Sequence, residues 1–107
     1  MRFDLHVHSN FSDGQDSVEA VIRAAVRRGL FGLSITDHDT LGGSQRALKI
    51  IREEKLDLVL IPGAEVTTSE GHLLCGGIEE LPPRASSAEE TAELARQQGA
   101  VAIVAHP

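Results

Sequence analysis

The chain has 107 residues, 41% of them hydrophobic and 24% charged, with a formal net charge of −6. A chain of this size buries roughly 60–70% of its unfolded surface, so one small domain with a real core is expected rather than a disordered segment. The acidic excess and the absence of Trp and Tyr argue against an extensive nucleic-acid surface. The single Cys excludes an internal disulfide and suits the reducing cytoplasm, and no apolar run approaches a membrane span.

Residues 3–7, Phe-Asp-Leu-His-Val, read as a first strand. A helix follows over 17–28, where Val18, Val21, Ile22, Ala25 and Val26 make one apolar stripe. Asp16 or Ser17 can cap it, Glu19 suits its first turn, Arg27 and Arg28 its last, and Gly29 ends it. Residues 31–36 read as a second strand. A second helix over 43–54 has Leu48 and Ile51 as its clearest core positions. Residues 57–63 read as a third strand. Residues 65–78 read as a hairpin turning at Glu70-Gly71. A loop stiffened by Pro82 and Pro83 leads to a third helix, with Ser87 and Glu90 as its capping box and Gly99 as its end. Residues 100–105 form a short apolar strand. The alternation of apolar strands with helices predicts a largely parallel sheet wrapped by helices.

The chemistry gathers at strand ends. Side chains alternate along a strand, so His6 and His8 share a face, with Asp4 on it, while Leu5 and Val7 can pack under a helix. Asp13 lies just beyond, in the Phe-Ser-Asp-Gly turn. Taken alone, the pair also fits two half-exposed histidines beside a capping Asp. His38 follows the second strand, Glu65 the third, and His106 the last; the hairpin would bring His72 back towards Glu65. All five histidines fall at such positions and none lies in a helix. Carboxyl ends of strands are where barrels and open α/β sheets place their sites. Imidazole plus carboxylate donors suit zinc, manganese or iron.

Four stretches in order, DLHVHSNFSDG, SITDHDT, IPGAEVTTSEGHLL and AHP, resemble the successive motifs of the PHP family, the polymerase and histidinol phosphatase domains. The resemblance runs from residue 3 to the last residue. It implies an α/β fold, a distorted TIM-like (β/α)7 barrel, of which residues 1–107 form about the first half of one PHP domain. It implies two or three divalent metal ions. By that analogy His6, His8 and Glu65 hold one ion, Asp13 and His38 a second, and Glu65, His72 and His106 a third, with Glu65 bridging. The family's last metal-binding element, a late Asp-x-His, has no counterpart here. The chain is also about half the roughly 200 residues a (β/α) barrel needs. Weak metal binding is therefore expected of residues 1–107 alone, with either self-association or pairing with a missing C-terminal segment.

The implied activity is that of a metal-dependent phosphoesterase. A metal-bound hydroxide would hydrolyse phosphate esters, with nucleotides or short oligonucleotides as candidate substrates, and the cations would offset the chain's own negative charge. The alternatives are a non-catalytic structural or regulatory PHP domain and a histidinol-phosphate phosphatase. Other residues have plainer readings. Asp4 either orients an imidazole or is a solvated carboxylate. Asp37 and Asp39, flanking His38, shape its loop. Cys75 faces away from His72 as a buried structural thiol. Arg84 is a surface residue rather than a phosphate ligand, and Gly42-Gly43 is a plain helix start rather than an anion site.

Overall fold

A computed structural model describes residues 2–83 and 86–105. The order is β1 (Phe3–Val7), α1 (Val18–Arg27), β2 (Gly32–Ile35), α2 (Gly42–Glu54), β3 (Val59–Leu60), β4 (Gly63–Thr68), β5 (Gly71–Gly76), α3 (Ala88–Gln97) and β6 (Val101–Val104). The strands form two three-stranded sheets, where the sequence predicts one largely parallel sheet. β1, β2 and β3 are parallel, whereas β4, β5 and β6 pair antiparallel in that order. No closed barrel forms among the described residues.

The division has two physical causes. Pro62 has no N–H to donate, and the predicted 57–63 strand breaks there into β3 and β4. The chain then reverses after Thr68, whose hydroxyl donates to the Gly71 carbonyl at 2.6 Å while Gly71 takes φ +124. The hairpin at Glu70-Gly71 is thus as expected. It inserts β5 between β4 and β6, which run in the same direction.

The sheets remain joined. His38 and Glu65 form a parallel bridge in which Glu65 N–H donates to the Asp37 carbonyl (2.9 Å) and Asp39 N–H to the Glu65 carbonyl (3.1 Å). The chain leaving β2 is therefore registered directly against β4.

Each sheet has its own apolar cluster. Leu33 and Ile35 of β2 pack with Val18, Ile22 and Ala25 of α1 and with Ala47, Ile50 and Ile51 of α2. Ala64 and Val66 of β4 pack with Leu73 and Cys75 of β5 and with Ala95 of α3. The helix signals act as read. Ser17 accepts from the Ala20 N–H, Gly29 lies at φ +69, and Ser87 with Glu90 forms the capping box. Glu70 at the hairpin tip also accepts from the Ala88 N–H at 3.0 Å, fastening β5 to the start of α3.

β1 departs from its simple alternation. Its register against β2 shifts between Asp4 and Val7, so three β1 steps span two β2 steps. Asp4 and Val7 consequently line the same hollow beneath α1, and Leu5 is exposed rather than packed under a helix. Val101, Ile103 and Val104 of β6 are exposed as well. Among the described residues no helix is long and apolar enough to cross a membrane.

Cys75 is fully buried, and that burial pushes its thiol up to about 11. The fold thus favours the neutral thiol. Stability from this group is fully present below the unfolded thiol's pKa and is lost as pH rises through about 11. A thiol-reactive disulfide reagent at pH 8 is expected to leave the folded chain unlabelled and to label one thiol in denaturant. Rapid labelling without denaturant would contradict this burial.

Candidate metal centre

The buried Glu65 carboxylate is the centre of the site. Its side chain has 0% exposure. Alternation along β4 turns Ala64 and Val66 to the apolar cluster and Glu65 and Thr67 to the opposite face. Oε1 lies 2.7 Å from His6 Nε2 and 3.1 Å from His8 Nε2. Oε2 lies 3.2 Å from His38 Nδ1 and 3.1 Å from His72 Nδ1. His72 reaches it on the diagonal, because His72 pairs with Thr67 and Leu74 pairs with Glu65.

Asp13 approaches from the other side, with its side chain 64% exposed. Its Oδ1 lies 2.8 Å from His8 Nδ1 and its Oδ2 3.2 Å from His38 Nε2. Burial disfavours its charged form, but the His38 and His8 imidazoles outweigh that and hold the carboxyl below its ordinary value.

His8 and His38 therefore each place both ring nitrogens against carboxylate oxygens. A neutral imidazole carries one N–H and can donate to only one of them. The second contact on each ring calls for another positive centre, either a second proton or a metal ion. Two ligands on one tetrahedral ion with bonds of about 2.1 Å stand about 3.4 Å apart, close to these spacings. Three groups have mutually close donor atoms, all within 4.8 Å in each: His6, His8 and Glu65; His8, Asp13 and His38; and His38, Glu65 and His72. The donor set thus fits divalent ions of the imidazole- and carboxylate-binding kind.

Of the seven residues singled out in the sequence, six converge here. His106 lies outside the described residues, as does Arg84. The analogy's grouping of His6, His8 and Glu65 coincides with one observed group. His8 also stands beside Asp13 and His38, and His38 beside Glu65 and His72.

Of the three further carboxylates, one needs revision. Asp4 does not share the site face; its Oδ1 accepts from the His6 N–H at 3.2 Å, on the α1 side of the bulge. Asp37 and Asp39 shape the loop, as read, but from opposite sides of His38. Asp39, at φ 53, accepts from Thr67 N–H (2.8 Å) and Oγ1 (2.5 Å). Asp37 is fully buried and accepts from Ser9 N–H (2.6 Å), Ser9 Oγ (2.6 Å) and Ser12 Oγ (2.9 Å). Sequence reading missed Ser9 and Ser12. Their position in a Ser-x-x-Ser-Asp-Gly turn marks them as local hydrogen-bonding residues, but the partner lies 28 residues away in Ser9's case.

The Gly42-Gly43 pair also acquires a specific reason. A Cβ on Gly43 would fall 2.2 Å from Asp37 Oδ2 and 3.0 Å from Ser9 Oγ. The start of α2 thus packs on the chain's own buried carboxylate, where the helix N-terminus favours negative charge. Gly43→Ala is expected to destabilise the fold by about 1–3 kcal/mol, outweighing alanine's helix preference. A urea midpoint equal to or above that of the parent chain would show that Asp37 can move aside.

A family model described as the PHP domain matches residues 4–104. The chain belongs to the PHP domain family. It is 34% identical to an uncharacterized protein of Methanocaldococcus jannaschii, the alignment covering 100% of this chain and 68% of that protein. It is 38% identical, over 75% of this chain and 32% of the relative, to a phosphoribosyl 1,2-cyclic phosphate 1,2-diphosphodiesterase of Eggerthella lenta. Among solved structures, it resembles a two-domain protein from Bacteroides vulgatus containing a predicted PHP-like metal-dependent phosphoesterase. The TM-score is 0.80 at 26% identity, over 95% of this chain and 34% of that one. This PHP chain therefore spans about a third of both of those longer proteins.

Proposed function

We propose that this PHP chain carries the metal centre of a phosphoesterase that hydrolyses phosphate esters, nucleotides or short oligonucleotides among them. The observation that carries the reading is the double engagement of His8 and His38. Two rings with both nitrogens against carboxylates make a site built for added positive charge. The phosphodiesterase relative and the phosphoesterase-containing structure support the same class of substrate.

Divalent ions bound here supply Lewis-acid polarisation of a phosphoryl oxygen and activate water at neutral pH. The chain's own residues do the holding. Glu65 offers one oxygen to His6 and His8 and the other to His38 and His72, so a single rigid side chain fixes the separation of the sub-sites. Its burial excludes competing water from that carboxylate. Asp13, on the exposed side, closes the His8–His38 pair where an anionic substrate would arrive. The remaining histidines offer neutral donors, which leave the net charge of bound ions available to phosphate.

The test is metal content by elemental analysis after loading with zinc, manganese or iron, followed by hydrolysis of a phosphomonoester and a phosphodiester. Uptake of two or three ions with turnover supports the reading. Uptake without turnover favours a non-catalytic metal-binding domain, and no uptake removes both.

A further inference from the structure

Asp13 poses a positioning problem. Its side chain is largely in solvent, on a loop, yet it spans two imidazoles that follow different strands at 2.8 and 3.2 Å. Neither contact explains how the loop comes to hold it there.

The loop's own hydrogen bonds lead to one anchor. Ser12 N–H and Gly14 N–H both donate to the Ser9 carbonyl, at 3.2 and 3.0 Å, and Phe11 N–H donates to Ser9 Oγ at 3.2 Å. Ser9 in turn donates its N–H and its hydroxyl to the two oxygens of Asp37, while Ser12 donates its hydroxyl to Asp37 Oδ1. Asp37 cannot shift towards α2, because Gly43 sits against it, and its own carbonyl accepts from Glu65 N–H. A Cβ on Gly14 would strike the His8 carbonyl oxygen at 2.4 Å, so the loop's return is equally tight. One residue, Asp37, thus references the Asp13 loop through its carboxylate and the Glu65 strand through its carbonyl, beside His38.

We propose that Ser12 and Asp37 are positioning residues that set the Asp13 carboxylate across His8 and His38, with Ser12 as the direct link. The inference deepens the metal-centre reading and rests on it for its effect on ions; its geometric part concerns the chain alone. Partners that orient metal ligands typically contribute 10–100-fold in affinity.

Ser12→Ala removes only the link. It is expected to weaken manganese binding about tenfold by competition titration. It should also expose the His8 and His38 ring protons to solvent exchange in imidazole 1H–15N spectra of the metal-free chain. Ser12→Thr keeps the hydroxyl and should keep both readouts. Ile50→Val is the control for simple destabilisation, since it trims the α1–α2 apolar cluster about 10 Å along α2 from Gly43; it should lower the melting temperature yet leave the ring signals and manganese affinity unchanged. Parent-like ring spectra and affinity in Ser12→Ala, or the same losses in Ile50→Val, would overturn the inference. If the parent chain takes up no manganese, the metal reading fails, and the ring spectra of the three variants still decide the positioning role.

Discussion

Glu65→Gln is expected to lower the chain's affinity for divalent ions by at least about 100-fold, the upper end for residues that only orient ligands. The substitution preserves shape and keeps one acceptor oxygen. It replaces the other with an NH2 group facing two imidazole nitrogens, whichever way the amide turns. One of the two pairs, His6–His8 or His38–His72, thereby loses its shared carboxylate oxygen and meets a donor instead. The loss of charge compounds this, because Glu65 is the only carboxylate in two of the three donor groups. Asp39→Asn removes a carboxylate too, but one that accepts from Thr67, and its effect on affinity should be smaller by about tenfold. Both variants should be compared by competition titration with zinc, with circular dichroism to establish folding. Equal losses, or a greater loss at Asp39, would mean that Glu65 braces β4 rather than joining the sub-sites.

The parts of this arrangement that were legible in the sequence are those encoded locally. The hairpin needs a turn and two alternating runs, all within residues 63–76. The capping box needs Ser87 and Glu90 three residues apart. The stripe on α1 repeats within ten residues, with Val18, Val21, Ile22 and Ala25 on the core side and Val26 left exposed. Of the candidate ligands, His6, His8 and His38 stand at or just past strand ends as read, a pattern that needs no knowledge of pairing register, whereas Glu65, read as following the third strand, lies inside β4.

What was not legible depends on register between distant segments. Residues 58–61 are apolar throughout, and only Pro62 hints that the predicted 57–63 run makes two strands in different sheets. Leu5 looks like a core residue by alternation, but the slip against β2 between Asp4 and Val7 moves Asp4 to the α1 side and leaves Leu5 exposed. The same slip explains why Asp4 is not among the site residues. Ser9, Ser12 and Gly43 gain their meaning only from Asp37, whose burial follows from packing between two loops and a helix start. Their residue types signal turns and helix ends, and nothing local names their common partner.

The slip in β1 also governs the second large effect, the loss expected on replacing His6 and His8 together by Ala. β1 contributes few buried side chains: Phe3, Asp4, Leu5 and His6 are all exposed and Val7 only half-buried. Its attachment to the fold is chiefly backbone, including Thr36 N–H donating to the Val7 carbonyl at 2.7 Å. Alanine preserves every one of those bonds. The apolar cluster of α1, α2 and β2 contains neither histidine, so the melting temperature of the metal-free chain should move by only a few degrees, as for a change of about 1 kcal/mol or less. The donor set changes far more. The group of His6, His8 and Glu65 keeps one member, and the group of His8, Asp13 and His38 loses the ring that pairs with Asp13 Oδ1. Only His38, Glu65 and His72 stay together. Metal content per chain should accordingly fall to at most one ion, measured by elemental analysis after dialysis. Retention of the parent stoichiometry would place the ions elsewhere, and a collapse of the metal-free fold would show that the imidazoles hold β1 to Glu65 rather than serving as ligands.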